Sequence, residues 1–372
     1  MPRTCDAVVI GGGIVGCSVA FGLARQGLFV TVLDEGDVAF RTSRGSFGLV
    51  WVQSKGPGVP EYHRWSRQSA DDWIELAREL KELAGVDTGH RRPGGVVLCL
   101  SEAEMVARRA HCERIRREAG DLGFDYEMLP REDLARLVPG IGPGVVGGCY
   151  TPYDGDASPL ALMRALNGAM QRVGVAYVPG VRAEFVHVAP GSFTVRGGAE
   201  TYSAPKVVIA AGVGNKALGE KVGLNVEVRP QRGQIIVTER VRPMWSLPTW
   251  LIRQTPEGGI IIGDSREEVG FDEGTTHDVL QQIARRATLS FPFLASVRVV
   301  RAWGALRVMS PDGLPVYDQS TAFPGAFAVT CHSGVTLAAA HAYRLAPQIA
   351  EGTLHGLQRF DTRRFDVQAA AA

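Results

Sequence analysis

Three parts of the chain share one hydrophobic pattern: a short apolar run, a glycine-containing turn, and then small and apolar residues at helical spacing. These parts lie near the N-terminus, in the middle and near the C-terminus. The apolar runs are residues 6–10, 29–33, 206–211 and 326–330, and the clearest helical patterns among them are residues 14–26 and 336–349. Buried strands that alternate with helices are typical of a parallel sheet, so the pattern predicts an α/β domain assembled from separated segments.

Between these units strand-like runs dominate, which predicts a second, mostly antiparallel β-sheet domain. Further helices are expected at residues 60–84, from 101 onward, from 159 onward and at 278–289. Ser101 with Glu104 is a capping box, and Ser158-Pro159 is a typical helix start. We predict that residues 1–85, 145–220 and 305–372 form the first domain, and residues 86–144 and 221–304 the second.

Composition supports an ordered protein and excludes several classes of function. The 372 residues are 45% hydrophobic and carry a formal net charge of +1, so no overall field attracts nucleic acid or an anionic membrane. No apolar run approaches the ~18–20 residues of a membrane span. The N-terminus does not resemble a signal peptide, which favours a cytoplasmic protein. Six scattered cysteines without a CxxC pair indicate no metal site.

The turn after the first strand carries the strongest chemical signal. Gly11-x-Gly13-x-x-Gly16 follows a strand and opens a helix, and the next strand ends at Asp34. In such a unit the first glycine makes the tight turn, the second lets the backbone approach a pyrophosphate, and the third packs helix on strand. An acid at position 34 suits ribose hydroxyls and disfavours a 2′-phosphate. The motif predicts FAD or NAD and does not separate them.

Three further features favour FAD. The small-residue loop 41–48 follows the second strand closely enough to wrap a second phosphate, although an ordinary surface turn has the same composition. The other two features are the apolar strand that ends at Ala211-Gly212 and the turn Gly334-Val335-Thr336, which opens the last helix.

Over nearly its whole length, the sequence resembles the D-amino acid oxidase/glycine oxidase/sarcosine oxidase (DAO) family of FAD-dependent oxidoreductases. The matching segments occur in the family's order and are residues 8–16, 229–234, 303–307 and 311–315. Residues 47–56 and 332–336 are most similar to the catalytic (beta) subunits of opine (octopine or nopaline) dehydrogenases and hydrogen cyanide synthase. The resemblance implies a segmented Rossmann-like FAD-binding domain beside a substrate-binding domain.

It also implies a reaction, oxidation of the Cα–N bond of an amino or N-alkyl amino acid by hydride transfer to flavin N5, with hydrolysis of the resulting imine. Arg307 matches the family's carboxylate-binding arginine, against the alternative of a structural pair with Asp312 or another acid, and His332 is the second candidate catalytic residue. The expected contacts of non-covalent FAD are Gly11, Gly13, Ile14, Val15, Gly16, Asp34, Glu35, Ser43, Arg44, Ser46, Gly48, Val181, Ala211, Gly212, Gly334, Val335 and Thr336.

Departures from the family pattern refine the expectation. Ile261 stands where sarcosine oxidases carry an oxygen-activating lysine, which favours a dehydrogenase over an oxidase. The alternatives are an oxygen-using glycine, D-amino acid or sarcosine oxidase, and a non-catalytic FAD electron-relay subunit. The resemblance implies a larger partner subunit with further redox centres, and leaves room for an FMN at that interface and for peripheral membrane association through partners. Gln53, Lys55 and Tyr317 are within reach of the site on family geometry but receive no role.

Overall fold

A computed structural model describes residues 1–36 and 42–366. Its strands are β1 (Arg3–Thr4), β2 (Ala7–Ile10), β3 (Val30–Asp34), β4 (Leu49–Val50), β5 (Gly95–Cys99), β6 (Glu127–Pro130), β7 (Gly147–Thr151), β8 (Gly155–Asp156), β9 (Ala176–Pro179), β10 (Ala183–Ala189), β11 (Ser192–Gly197), β12 (Glu200–Ala204), β13 (Lys206–Ile209), β14 (Arg229–Arg240), β15 (Ile252–Gln254), β16 (Gly259–Ile262), β17 (Val299–Met309), β18 (Val316–Gln319) and β19 (Ala326–Thr330). The central element is a six-stranded sheet in the order β18-β19-β13-β2-β3-β9, in which only β18 runs antiparallel to its neighbour.

Helices cover one face of this sheet and close its core. The α-helices are α1 (Ile14–Arg25), α2 (Pro60–Ala84), α3 (Glu102–Glu118), α4 (Arg131–Leu137), α5 (Pro159–Arg172), α6 (Asn215–Glu220), α7 (His277–Ser290), α8 (Ala338–Ala340) and α9 (Ala346–Glu351). A π-helical turn, His341–Leu345, joins α8 to α9, and short 3₁₀ turns occupy Gly120–Leu122, Gly212–Gly214, Pro292–Ser296, Gln358–Phe360 and Thr362–Phe365. Apolar side chains of α1, α2, α5 and α8–α9 pack together beneath β2 and β3.

Two antiparallel sheets form the other half of the molecule. One has the order β15-β16-β14-β17 and the other β5-β7-β6. They are joined where the Val96 amide donates to the Pro248 carbonyl (3.1 Å) and the Trp250 amide to the Val96 carbonyl (3.0 Å). One apolar core, which includes Leu98, Ile236 and Phe291, lies between these sheets and α4 and α7.

The helix boundaries follow the local signals in the sequence. α2 begins at Pro60 and ends at Gly85 in the left-handed conformation, and the Ser101 and Ser158 side chains cap α3 and α5. The Glu104 carboxylate accepts from the Leu100 amide, one residue earlier than the capping-box pattern expects. Among the described residues no helix is long and apolar enough to cross a membrane.

The predicted α/β class with an antiparallel second sheet is confirmed, whereas the domain boundaries stay a prediction. β17 runs without interruption through residues 304 and 305, and β7 pairs with β5 and β6. β17 therefore spans the predicted 304/305 boundary, and β7, which lies in one predicted domain, pairs with strands of the other. β4 and β8 form a separate two-stranded sheet, and β1, β10, β11 and β12 a four-stranded one.

Candidate functional site

Five parallel strands end at the same edge of the central sheet, and the segments at their carboxyl ends, including Val181 after β9, line a cavity of about 920 Å³. This volume is near the upper end of the ~300–1,000 Å³ typical of small-molecule and cofactor sites. The segments that follow β2, β3, β13 and β19 all contribute to its wall. The predicted cofactor contacts that line it are Gly11, Gly13, Ile14, Val15, Asp34, Glu35, Ser43, Ser46, Val181, Ala211, Gly212, Gly334 and Val335, together with His332.

The glycine turn after β2 is closed to any side chain. Gly11 has φ +109°, and a Cβ there would lie 2.3 Å from the Ala210 carbonyl oxygen. A Cβ on Gly16 would lie 1.9 Å from the Gly11 carbonyl oxygen, so Gly16 holds α1 close against the turn; among the described residues it is not part of the lining of this cavity. Gly13 is the N-cap of α1 and makes no side-chain cap hydrogen bond. The backbone of this turn and the positive end of α1 therefore face the cavity, which suits a pyrophosphate.

Two side chains complete this wall. The Asp34 carboxylate accepts hydrogen bonds from the Gly12 amide (2.7 Å) and the Gly36 amide (3.0 Å), which fixes its position at the end of β3. The Ser43 hydroxyl accepts from the Ile14 amide (3.0 Å), so the loop after β3 reaches the first turn of α1. The cavity, the glycine cradle and the acid at the strand end fit the adenosine diphosphate half of FAD.

The remaining predicted contacts lie elsewhere. Gly48 and Thr336 line a second, smaller cavity, whereas Arg44 is exposed and is absent from the described lining of both. Arg41, part of the predicted phosphate-wrapping loop, lies outside the described residues. Cys331 lines the large cavity and is buried, and burial raises the pKa of its thiol to about 12.

The smaller cavity, of about 170 Å³, adjoins the large one. Thr42, Ser46, His332 and Val335 line both, so the two spaces meet at this seam. Its other walls come from the β4 loop and from β14, β17 and the end of β16. A ligand ring at the seam would have the dinucleotide cavity on one side and this smaller space on the other.

Arg307, on β17, lines the smaller cavity as expected. Its guanidinium pairs with the Asp264 carboxylate and donates to the Ser265 carbonyl (2.7 Å). It lies across Gly233, where a Cβ would come within 2.4 Å of Nη2. Asp312, the partner considered from sequence, pairs with Arg364 instead (2.8 Å). Arg307 is thus held by an acid of the cavity wall and stays partly exposed.

Lys55 is the cation that sequence reasoning left without a role. It is buried, lines the smaller cavity, and its Nζ donates to Ser333 Oγ (2.7 Å) and lies 3.2 Å from His332 Nε2. Burial lowers the pKa of Lys55 from 10.5 to about 8. The hydrogen bond between Lys55 and Ser333 brings the loop after β4 against the turn after β19.

The loop that carries Lys55 is fixed from below by one buried carboxylate. Asp154 accepts hydrogen bonds from the Val52 amide (2.5 Å), the Gln53 amide (3.2 Å) and Gln53 Nε2 (2.5 Å). Arg108 donates to the Gln53 carbonyl (2.8 Å) from α3. Burial raises the pKa of Asp154 to about 6. Gln53 is therefore a structural residue of this loop and does not line the smaller cavity.

His332 lines the cavities, whereas Tyr317 does not. Burial and the charges of Lys55 and Arg307 lower the pKa of His332 well below its usual value, so its imidazole is neutral and suits the role of acceptor beside Lys55. Tyr317 is buried away from both cavities, with its hydroxyl 2.9 Å from His341 Nε2 and accepting from Trp65 Nε1 (3.2 Å). Ile261 is half-buried on β16, and within the described part of the chain neither cavity includes it.

Comparison with known proteins agrees with this geometry. The sequence pattern of the family described as DAO, FAD dependent oxidoreductase, matches residues 6–348. One of the subunits of opine oxidase, from Rhizobium meliloti, is 42% identical over 366 residues, which cover 98% of this chain and 99% of that protein. Hydrogen cyanide synthase subunit HcnC of Pseudomonas aeruginosa is 28% identical over 360 residues, with 85% of each chain covered. The crystal structure of glycine oxidase from Geobacillus kaustophilus matches with a TM-score of 0.86 at 23% identity, covering 97% of this chain and 98% of that one, and so shows the same fold.

Proposed function

The chain belongs to the FAD dependent oxidoreductase family, and we propose that it oxidises the Cα–N bond of an opine or a related N-alkyl or D-amino acid. The observation that carries the proposal is the seam at His332 and Val335. There a cavity built for a dinucleotide meets a small cavity that contains two cations, Arg307 and Lys55. The similarity to the opine oxidase protein of Rhizobium meliloti over 98% of the chain supports the choice of opines among amino acid substrates.

Bound FAD would supply the two-electron acceptor for this reaction. The chain itself binds and orients the substrate. The planar fork of Arg307 suits bidentate contact with a carboxylate, and the Asp264 carboxylate and the Ser265 carbonyl fix its direction. We assign His332 to positioning, because its lowered pKa makes the imidazole a poor proton acceptor and its Nε2 already faces Lys55.

Two finer points belong to the proposal. The absence of a lysine at position 261 favours a dehydrogenase, which passes its electrons to an acceptor other than dioxygen. The relatives named as subunits favour work within a complex. We include in the proposal the larger partner with further redox centres that the family resemblance implies. An FMN at such an interface would follow from the same resemblance.

Anaerobic reduction of the FAD-loaded chain tests the proposed activity. Octopine, nopaline, sarcosine, glycine, D-proline and D-alanine are each added while flavin absorbance is followed, and air is then admitted. Reduction that persists in air supports a dehydrogenase. Rapid reoxidation with stoichiometric hydrogen peroxide would replace it with an oxygen-using oxidase. An FAD-loaded chain that none of these compounds reduces, alone or with its partner, would contradict the proposed substrate class.

Arg307→Ala tests the site itself. Loss of the fork leaves the substrate carboxylate without its charge-assisted hydrogen bonds, and we expect a drop of roughly 100-fold or more in the second-order rate of flavin reduction, with FAD content unchanged. Arg301→Ala is the matched control, because Arg301 lies on the same strand with its side chain exposed. Equal losses in both variants, or none in Arg307→Ala, would remove Arg307 from the substrate site.

A further inference from the structure

The two cations of the smaller cavity are in different electrostatic states. Arg307 is paired with Asp264. Lys55 has neutral neighbours at its ammonium, the Ser333 hydroxyl and the His332 imidazole, with the Tyr62 ring 5.9 Å from Nζ. Among residues 1–36 and 42–366 no carboxylate lies within salt-bridge distance of it. The smaller cavity therefore contains one compensated and one uncompensated positive charge.

An uncompensated buried ammonium is costly, and a nearby anion reduces that cost. Asp154 raises the pKa of Lys55 only at longer range, because its oxygens are occupied by the Val52 and Gln53 amides. The residues that contact Nζ do hold it in place: Ser333 Oγ lies 3.0 Å from the Tyr62 hydroxyl and 3.1 Å from His332 Nε2. Lys55 is thus fixed at the cavity wall, where its ammonium can bind an anionic group of a ligand.

The arrangement of the two cations defines which ligand would supply that anion. Arg307 projects from β17 and Lys55 from the loop after β4, and both line the same cavity of about 170 Å³. Arg307 also lowers the pKa of Lys55, so the two charges lie within mutual influence. Arg307 keeps Asp264 as its partner, and its partly exposed guanidinium can also contact a ligand carboxylate, so a ligand with a single carboxylate can reach one of the two cations. A secondary amine that carries a carboxylate on each side of its nitrogen can reach both.

We propose that Lys55 binds the second carboxylate of an iminodicarboxylate substrate, while Arg307 binds the first. Lys55 is then the residue that selects substrates with two carboxylates over simple N-alkyl amino acids, with Ser333 and His332 as its positioning partners. This inference rests on the proposed function, since it specifies the substrate class of the same site.

Binding of analogues that cannot be oxidised at nitrogen tests the proposal without requiring turnover. Thiodiacetate carries two carboxylates around a sulfur, and methylthioacetate carries one. Calorimetric titration of the FAD-loaded protein gives both dissociation constants, and their ratio measures the preference for a second carboxylate. We expect the wild-type chain to prefer thiodiacetate, and Lys55→Met to reduce that preference roughly 10- to 100-fold, the range for a hydrogen bond to a charged group.

Two further variants keep the experiment interpretable. Lys55→Arg retains a cation and should keep part of the preference. Lys216→Met makes the same substitution at an exposed ion pair with Glu227 and should leave the ratio unchanged. FAD content and thermal midpoint report whether each variant is folded.

The outcomes separate this proposal from the proposed function. A wild-type chain without preference for thiodiacetate, or a Lys55→Met chain that retains the full preference, overturns the role of Lys55 even if amines reduce the flavin. A preference that depends on Lys55 in a chain that no amine reduces supports the binding site and contradicts the proposed oxidation. Should Lys55→Met fail to fold, Lys55→Arg provides the test. At a pH that deprotonates lysine but not arginine, Lys55→Arg should keep its preference for thiodiacetate. Loss of that preference in Lys55→Arg at this pH would count against the proposal.

Discussion

The two adjoining cavities depend on different features of the chain. The larger one depends on close backbone packing at its glycine turn, where Gly11 and Gly16 leave no room for a Cβ. The smaller one has charged and polar side chains among its mostly apolar lining, and these come together from β17, the β4 loop and the turn after β19. Adding one carbon atom at this glycine turn should therefore disable the first cavity, whereas removing one charge should change the ligand preference of the second.

The largest effect is expected from Gly16→Ala. The new Cβ would lie 1.9 Å from the Gly11 carbonyl oxygen, so α1 must move away from the turn that faces the pyrophosphate. We expect destabilisation of roughly 3 kcal/mol or more and loss of retained FAD, measured as the thermal midpoint and the flavin-to-protein absorbance ratio after gel filtration.

Gly214→Ala is the matched control for that variant. Gly214 lines the same cavity, has φ −70°, and offers its Cβ an ordinary 3.4 Å contact with Ala211 Cβ. It should keep its FAD. If both variants lose FAD equally, the close approach at Gly16 is not what holds the cofactor turn.

A smaller effect is expected from Asp154→Ala. Asp154 holds the loop that carries Lys55, so this substitution acts on the smaller cavity. Removing this carboxylate takes away the acceptor of the Val52 and Gln53 amides, while Gln53 Nε2 keeps only its hydrogen bond to the Gly95 carbonyl. We expect a loss of about 2 kcal/mol in the free energy of unfolding and weaker thiodiacetate binding, with FAD content nearly unchanged. Urea titration and calorimetry measure the two effects.

The control for this support is Asp125→Ala. The exposed Asp125 accepts from the Tyr153 hydroxyl near the same sheet, so its loss should cost less than about 1 kcal/mol. A variant Asp154→Ala that lost FAD rather than thiodiacetate affinity would show that the two cavities are not independent.

The smallest effect is the pH dependence of ligand preference. With a pKa of about 8, Lys55 is mostly cationic at pH 7 and mostly neutral at pH 9, so the thiodiacetate preference should fall about tenfold between these values. The fall should be missing in Lys55→Met. The titratable and charged groups that surround Lys55 are Tyr62, Asp154, Arg266, Arg307, Cys331 and His332.

The titratable groups among these neighbours keep their charge between pH 7 and pH 9. Burial raises the pKa of Tyr62 well above its usual value and that of Cys331 to about 12. Asp154 has its pKa near 6, and that of His332 is lowered below its usual value. A preference that rose with pH would contradict an ammonium as the binding group.

Local patterns predicted the larger cavity because each of its parts is encoded within a few residues. The Gly11-to-Gly16 spacing and the acid at position 34 all belong to one strand–turn–helix–strand unit. The helix starts at Pro60, Ser101 and Ser158 were predicted for the same reason, since capping depends on neighbours along the chain. Arg44, predicted as a contact from its position in the loop, is exposed, because a loop's composition does not fix the direction of its side chains.

For the smaller cavity, the sequence predicted a role for Arg307 but none for Lys55. Arg307 was found through the family's motif, but its partner Asp264 lies 43 positions away and no spacing rule connects the two. Lys55 and Ser333 are separated by 278 positions, and the hydrogen bond between them depends on how the β4 loop is held by Asp154. Gln53, Lys55 and Tyr317 were indistinguishable in sequence, and only Lys55 lines the cavity.

The sequence by itself determined the family, the α/β class and the glycine turn after the first buried strand, because periodicity, glycine geometry and short motifs are local properties of the chain. Only the tertiary structure decided which acid pairs with Arg307, which residue of the 53–55 loop faces the cavity, and where the two cavities meet. Those contacts join segments that are distant along the chain. Burial then lowers the pKa of Lys55, and in this fold the lysine becomes an uncompensated cation beside the proposed substrate site.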